Sequence, residues 1–373
     1  MITLKTEELK AVCTKIRDAV DSNGASDITE TLEIVVKSGV LYLQVTNREY
    51  FVKVKLATNN SEDFHATIKA ETFLKLVPVM TTELITLDTK DKSLIIKGNG
   101  EYPLPMIYDG ENVVTLPEIG IANVTNMFDI DGAILNSIYK SNTRQLSNVK
   151  NVASPLQSLY YVDKDGAITF TTGACVNGFE LEQDVKLLLN AKLVKLFKLF
   201  KNEKVSFSIG QDAVTEGLTQ TKVRFITSEI ELTAILPSND EDISKYPAQA
   251  IRTRATKDYD YSITLNRLEL LQAINRLVIF SERSTAFNRN YGRFEFLEDR
   301  VIIKDVNRYC SEEIFYTNST TISDKYETTI DFVDLKNILE ISQQDLISFK
   351  FGDKTAFVCS IDNISNVIPE IDV

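Results

Sequence analysis

Tryptophan is absent from the 373-residue sequence, and histidine occurs only once, at His65. A catalytic triad needs an imidazole beside a nucleophile, whereas His65 lies in the alternating segment 63–68, which predicts an ordinary strand. The motifs G-x-x-x-x-G-K-[ST], G-x-G-x-x-G, G-x-S-x-G and H-E-x-x-H are also missing. These absences predict a protein that is not an enzyme and that holds no cofactor and no metal.

Cysteine is sparse, and no long apolar run is present. Cys13, Cys175, Cys310 and Cys359 form no C-x-x-C pair, so they fit neither a zinc site nor a disulfide framework. No apolar stretch approaches the roughly 20 residues of a membrane span, and no signal peptide is visible. We therefore expect reduced thiols and a cytoplasmic location.

Positive charge is in deficit. The sequence has 41 Lys and Arg residues against 53 Asp and Glu residues, a formal net charge of −12. Binding to nucleic acid requires clustered cations, so this total disfavours it. A total does not describe distribution, however, and a basic face can lie within an acidic protein. The acidic stretch 239–242 is better explained as a solvated loop than as a metal site.

Hydrophobic periodicity predicts the same α+β unit three times. Each unit begins with a strand and a helix, continues with alternating strands to a second short helix, and ends with further strands. The predicted helices span 6–20, 71–77, 133–140, 191–201, 267–278 and 333–341. Because the first strands begin near Met1, Met127 and Tyr261, the repeat predicts three tandem domains, 1–122, 123–252 and 253–373. Linkers are expected at 114–124 and 240–257.

Basic residues recur on one predicted helix. In 191–201 a lysine occurs at every third position, and no acidic residue lies between Asn190 and Asn202. On a helical wheel the apolar residues take the opposite side. This pattern favours a phosphate-facing surface, although a solvated helix face is the alternative. Since no stacked aromatic residues interleave with the basic residues and no base-reading motif is present, any contact should be with the nucleic acid backbone.

Several short segments resemble the bacterial DNA polymerase III β sliding clamp family. Segment 277–283, LVIFSER, is similar to A-I-L-S-N-E-K, and 228–233, SEIELT, to G-G-I-E-L-T. Segment 244–247, SKYP, resembles G-[RK]-[FY]-P, and 366–369, NVIP, resembles the terminal V-[MLI]-P. Segment 171–176, TTGACV, departs from T-D-G-H-R-L by lacking its Asp and His. The order of the matches identifies the chain as similar to a divergent clamp, bacterial or phage-encoded.

The resemblance implies three copies of the DNA-clamp domain, each with two short helices packed on antiparallel sheets. Two chains would close head to tail into a ring that encircles double-stranded DNA, with the helices inward. The implied function is a processivity factor that slides on DNA and tethers the replicative polymerase. A structural or protein-binding repeat scaffold without DNA is the alternative, and an enzyme on such a scaffold is disfavoured by the missing motifs.

Helix faces and the resemblance together assign three sets of residues. The expected DNA-facing set is Lys10, Arg17, Lys75, Lys140, Lys192, Lys195, Lys198, Lys201, Arg267 and Arg276. The implied dimer interface is Tyr102, Leu104, Ile279 and Phe280. The implied pocket for short peptides of the polymerase and the clamp loader is Pro155, Leu156, Thr171, Gly173, Cys175, Val176, Pro247, Val367, Ile368 and Pro369. Ordinary packing is the alternative for the last two sets, and Ala174, Cys175 and Glu370 leave the preferred peptide open.

Overall fold

The computed structural model describes residues 1–21, 27–60, 62–147, 154–171, 173–215, 218–237, 240–280, 290–305, 310–341 and 343–370. Segment 281–283 and Thr172, which contribute to the family resemblance, lie outside these residues. The chain divides into two compact units, Met1–Leu135 with Leu196–Asn239 and Asn136–Lys195 with Asp240–Val373. None of the helices in the described ranges is long and apolar enough to cross a membrane.

The described elements follow one order three times: strand, helix, four strands, helix, three strands. The first copy consists of β1 (Ile2–Lys5), α1 (Thr6–Arg17), β2 (Thr31–Lys37), β3 (Val40–Thr46), β4 (Tyr50–Ala57), β5 (Phe64–Lys69), α2 (Ala70–Leu76), β6 (Leu84–Lys90), β7 (Ser93–Lys97) and β8 (Glu101–Pro105). It is followed by the two short strands β9 (Tyr108–Asp109) and β10 (Asn112–Val113).

The second and third copies repeat this order. The second consists of β11 (Val124–Asp131), α3 (Gly132–Ser147), β12 (Leu159–Asp163), β13 (Gly166–Phe170), β14 (Ala174–Gly178), β15 (Lys186–Asn190), α4 (Ala191–Leu196), β16 (Lys204–Thr215), β17 (Leu218–Ile226) and β18 (Ile230–Ile235). Helices α5 (Asp240–Lys245) and α6 (Ala248–Thr256) follow it. The third consists of β19 (Tyr261–Asn266), α7 (Arg267–Phe280), β20 (Tyr291–Phe296), β21 (Arg300–Asp305), β22 (Ser311–Phe315), the additional short strand β23 (Asn318–Ser319), β24 (Tyr326–Asp331), α8 (Phe332–Leu339), β25 (Leu346–Phe351), β26 (Ala356–Ile361) and β27 (Ile364–Pro369).

The first unit contains an eight-stranded sheet in the order β11-β16-β17-β18-β4-β3-β2-β5 and a four-stranded sheet, β1-β6-β7-β8. Strands of the first and second copies meet in the larger sheet, where β18 pairs antiparallel with β4 from Ile230↔Val54 to Ala234↔Tyr50. Helix α1 buries its predicted apolar stripe, including Leu9, Val12 and Ile16. The amphipathic pattern therefore identified the side of α1 that packs against the rest of its unit.

The second unit contains a nine-stranded sheet, β15-β12-β13-β14-β27-β26-β25-β19-β23, and a four-stranded sheet, β22-β21-β20-β24. Strand β14 of the second copy pairs with β27 of the third, from Ala174↔Val367 to Asn177↔Ile364. The second copy is thus shared between the two compact units. The boundaries of three domains stay a prediction, and the segment 240–257 expected as a linker contains helices α5 and α6.

The helix expected at 191–201 is shorter than predicted. The Asn190 side chain accepts a hydrogen bond from the Leu193 backbone N–H (2.8 Å) at the start of α4. After Leu196 the chain forms a 3₁₀ turn at Phe197–Leu199, and Phe200 is extended. The rings of Phe197 and Phe200 both contact Phe225, with centroids 5.2 and 5.8 Å apart. Because the chain leaves the helix to bury both rings, Lys198 and Lys201 lie beyond α4.

Candidate functional site

Three cations of the first unit line one cavity of about 690 Å³. Arg17 ends α1, Lys75 lies in α2, and Lys69 directly precedes α2. Lys75 is paired with Glu71 (2.5 Å). Arg17 and Lys69 are exposed, and no acidic group among the described residues lies within salt-bridge distance of either. Glu30 and Glu71 also line the cavity, so its unneutralised cations are Arg17 at the end of α1 and Lys69 before α2. Helix-face reasoning missed Lys69.

Other predicted cations of this unit differ in whether they are paired. Lys10 Nζ lies 2.9 Å from Glu7 Oε1 on its own helix, and Lys198 Nζ lies 3.0 Å from Asp18 Oδ2. Lys201 is exposed, and the described part of the chain offers it no carboxylate partner. A neutralised cation has less to gain from a phosphate, so Lys201 and Arg17 are better placed to attract one than Lys10 or Lys198.

In the second unit, Lys140, Lys192 and Lys195 are exposed on α3 and α4. No acidic residue in the described ranges pairs with Lys140 or Lys195. Arg276 forms a two-point salt bridge with Glu312 (2.6 and 2.9 Å). The hydrogen bonds from Arg276 hold the pKa of Glu312 below its ordinary value. To bind a phosphate, Arg276 would therefore have to break its salt bridge with Glu312.

Arg267 has a structural role that its position on a helix did not predict. Its Nη1 donates to the Leu339 carbonyl oxygen (2.9 Å), and its Nε donates to the Gln344 carbonyl oxygen. Leu339 is the last residue of α8, so the guanidinium satisfies a carbonyl at a helix end. Arg267 thus connects the start of α7 to the end of α8 and already uses two of its five N–H donors within the chain.

A groove of about 400 Å³ lies in the second unit beside helix α6 and strands β14, β26 and β27. Its lining is mainly apolar or small. The lining residues are Phe170, Thr171, Gly173, Ala174, Ala250, Ile251, Arg254, Thr355, Ala356, Val367 and Pro369. Four of the predicted pocket residues, Thr171, Gly173, Val367 and Pro369, are therefore brought together. A concave apolar surface with a few polar groups is suited to binding a short peptide segment.

Four other predicted pocket residues lie next to this lining. Leu156 and Val176 are partly buried against a cluster that also contacts the lining residues Phe170 and Ile251. Pro155 begins the 3₁₀ turn Pro155–Ser158, and Pro247 directly precedes α6.

Cys175 and Ile368 do not line the groove. Both are buried in the core of the third copy together with Phe349 and Phe357. Side chains alternate along a strand, so Cys175 points away from the face that carries its neighbour Ala174. Burial raises the pKa of the Cys175 thiol to about 12, which keeps it protonated and unreactive at neutral pH. Cys175 and Ile368, which were predicted to line the peptide pocket, therefore pack in the core instead.

Gly173 is required by close packing in the groove wall. A Cβ at this position would lie 2.6 Å from the Val367 carbonyl oxygen and 3.4 Å from Pro369 Cδ. Gly173→Ala is therefore expected to displace β27 from β14 and to lower the free energy of unfolding by about 2 kcal/mol. Urea unfolding measures this loss. Gly178→Ala is the control in the same strand region, since its Cβ would lie 3.4 Å from the nearest atom; equal losses would contradict the proposed steric cause.

Asp353 stabilises the rim of the groove. Its carboxylate accepts from Lys257 Nζ (2.8 Å), from the Thr355 backbone N–H (2.9 Å) and from Thr355 Oγ1 (2.7 Å). Thr355 also receives a hydrogen bond from Arg254. Burial opposes ionisation of Asp353, but the hydrogen bonds from Lys257 and Thr355 outweigh it and hold the pKa of the carboxyl well below its ordinary value.

We expect Asp353→Asn to destabilise the protein by about 1 kcal/mol at neutral pH, after allowance for solvent screening. The ionised carboxylate stabilises the folded state above the ordinary aspartate pKa of roughly 4, and this contribution falls as the pH drops below that value. The difference between variant and wild type should therefore shrink in acid, as measured by urea unfolding at neutral and acidic pH. Asp324→Asn, at an exposed position, is the control for removing one carboxylate, and an equal loss at neutral pH in both variants would contradict the role assigned to Asp353.

The predicted interface residues fall on two surfaces. Tyr102 and Leu104 are half-buried in β8 of the first unit. Ile279 and Phe280, at the end of α7 in the second unit, are 77% and 56% exposed. The role of these four residues in a dimer interface stays a prediction.

His65 occupies β5, where its Nε2 lies 2.8 Å from Glu33 Oε1. His65 therefore lies in a strand, as the alternating sequence predicts. Among the described residues, no group of three His, Cys, Asp or Glu side chains is arranged to hold a metal ion.

Comparison with known proteins finds bacterial sliding clamps, or DNA polymerase III β subunits, similar to this chain. The β sliding clamp of Helicobacter pylori strain J99 is 25% identical over 313 residues, which cover 80% of this chain and 78% of that protein. The DNA polymerase III β subunit of Thermotoga maritima matches 100% of this chain and 99% of its own, with a TM-score of 0.77 at 16% identity. The sliding clamp of Bacillus subtilis matches with a TM-score of 0.78 at 15% identity. The match covers 100% of this chain and 98% of that protein.

No protein-family model matches the sequence. The full-length structural matches nevertheless confirm the predicted α+β clamp fold. The sequence matches confirm the predicted resemblance to the bacterial β clamp, at identities that fit a divergent chain.

Proposed function

We propose that this protein is a divergent DNA polymerase sliding clamp of the bacterial β type, which encircles double-stranded DNA. The observation that carries the proposal is the match of the whole chain to sliding-clamp structures at TM-scores of 0.77 and 0.78. The sequence relatives carry the same name over 80% of the chain. Both findings favour this function over a repeat scaffold that never contacts DNA.

Contact with DNA would come from the cations that remain unneutralised. Arg17, Lys69, Lys140, Lys195 and Lys201 are exposed and have no acidic partner among the described residues. Attraction between these side chains and phosphates is independent of base sequence, which suits a protein that must move along DNA. Lys192 is a further exposed cation, on α4. Lys10, Lys75, Lys198 and Arg276 are weaker contributors because each has an ion-pair partner.

Encirclement requires a closed homodimer. A head-to-tail contact between Tyr102 and Leu104 of one copy and Ile279 and Phe280 of the other would bury exposed apolar area and close by two-fold symmetry. Retention then depends on topology, so the protein itself needs no catalytic centre, cofactor or metal.

The groove of the second unit is the proposed docking site for short peptide segments of the polymerase and the clamp loader. Its apolar lining can bury a few hydrophobic side chains of an extended peptide. Partners that use one groove compete for it, which would allow the loader to be replaced by the polymerase.

Single-molecule imaging on duplex DNA tethered at both ends tests the proposed function. Labelled protein should diffuse along the DNA, stop at a bound protein roadblock, and stay on the DNA when salt is raised to roughly 0.5 M, because encirclement does not depend on phosphate contacts. Molecules that dissociate steeply with salt or pass the roadblock by hopping would contradict the proposal.

A further inference from the structure

Strand β8 pairs with β7 on one side, and its other side carries two prolines, Pro103 and Pro105. The Met106 N–H donates to the Lys92 carbonyl (3.0 Å), and the Gly98 N–H donates to the Gly100 carbonyl (2.9 Å). In an antiparallel pair, residues alternate between facing the partner strand and facing away from it. The even-numbered residues of β8 therefore face β7, and Glu101, Pro103 and Pro105 direct their main-chain groups outward.

Within the described ranges, the first part of this edge is open and the last part is covered. The Ile107 N–H donates to the Thr67 carbonyl (2.7 Å), and Met106 forms a bridge with Ile68 of β5. The outward side beside Pro105 is thus next to β5 of the same chain. At Glu101 and Pro103 the edge offers two carbonyl acceptors but one N–H donor, because proline has no N–H.

An edge of complementary kind lies in the second unit. The Tyr316 N–H donates to the Asp299 carbonyl (3.0 Å), so the alternate residues Ser311, Glu313 and Phe315 of β22 direct their N–H and C=O groups away from β21. Phe315 is 60% exposed. Helix α7, which ends at the exposed Ile279 and Phe280, is joined to β22 by the salt bridge between Arg276 and Glu312. Exposed apolar residues beside a strand edge that no other described strand pairs with favour an interaction surface.

We infer that Pro103 weakens closure of the ring, an inference that rests on the proposed function. When β22 of a second copy pairs antiparallel with β8, its N–H groups can donate to the Glu101 and Pro103 carbonyls. The carbonyl of β22 that lies opposite Pro103 receives no hydrogen bond in return. A head-to-tail dimer contains this contact twice, so the closed ring lacks one main-chain hydrogen bond at each of its two interfaces. Pro103 thereby limits dimer affinity and shortens the lifetime of the closed state.

The test compares Pro103→Ala with the matched control Pro105→Ala in the full chain. Both substitutions remove one proline from the same strand and have the same effect on the unfolded chain, but the N–H introduced at 105 lies beside the chain's own β5. A net hydrogen bond corresponds to roughly fivefold in affinity, so two interfaces give roughly 25-fold. Sedimentation velocity over a dilution series should show a dimer dissociation constant lower by this factor for Pro103→Ala and little changed for Pro105→Ala.

Hydrogen exchange supplies a second readout. The amide introduced at position 103 should be protected in the dimer and should exchange rapidly when the protein is diluted to monomer. If both variants dimerise as wild type does and the new amide is unprotected, the inference about Pro103 is wrong while the ring stands. If wild type and both variants remain monomers at high micromolar concentration, the closed ring itself is wrong, and the inference fails with it.

Discussion

Reversal of Arg17, Lys195 and Lys201 to glutamate is expected to weaken binding to duplex DNA at least 100-fold at roughly 0.1 M salt. These three side chains are exposed cations without an acidic partner in the described part of the chain. Each phosphate contact contributes about 0.9 to the slope of log affinity against log salt, so the slope should fall by roughly three per chain. Fluorescence anisotropy with a labelled duplex over a salt series measures both quantities.

The matched control reverses Lys37, Lys90 and Lys186, which are exposed cations at strand ends. Both triple variants make the net charge of −12 more negative by six. If long-range repulsion by net charge were the cause, the two variants would weaken binding equally. A strong loss for the Arg17, Lys195 and Lys201 variant with a small loss for the strand-end variant assigns the contact to the former three cations, and equal losses would refute that assignment.

Filling the groove of the second unit is expected to weaken peptide binding by about 30-fold or more. Ala250 lines the groove and is exposed on α6, so Ala250→Trp adds bulk without disturbing the core. Loss of about 2 kcal/mol of apolar burial corresponds to at least a 30-fold weaker affinity. Isothermal titration with a clamp-binding peptide of the cognate replicative polymerase measures the change.

Gln249→Trp is the control for this substitution. Gln249 is equally exposed on the same helix but does not line the groove. It should bind the peptide as wild type does. DNA retention should be unaffected in both variants, which would separate partner docking from encirclement. Peptide affinity that is unchanged in Ala250→Trp would place the docking site elsewhere.

The repeated order of strands and helices could be predicted because its signals are local. Apolar residues at helical spacing in α1 and alternating residues in the strands determine which side of each element is buried. The start of α1 at Thr6 and of α7 at Arg267 agrees with the predicted positions. By contrast, α6 was missed because Pro247 and the nearby acidic residues suggest a linker. Ala250, Ile251 and Arg254 of the groove were missed for the same reason.

The remaining differences come from contacts distant in sequence. Thr355 and Ala356 reach the groove because Ala356 pairs with Pro369 in the β26–β27 hairpin. Arg267 has the charge and the helix position of a DNA contact, yet it donates to backbone carbonyls at the end of α8. A helical wheel cannot show such partners. The count of basic residues therefore predicts more N–H donors available to phosphates than the folded chain presents.

Encirclement of DNA is the central claim, and topology tests it most directly. The protein is assembled on a nicked circular plasmid, separated from free protein by gel filtration at high salt, and then divided into samples with and without a restriction enzyme that cuts the plasmid once. We predict that the protein stays on the circle and leaves rapidly when ends are created. Equal release from circular and linear DNA would contradict the account.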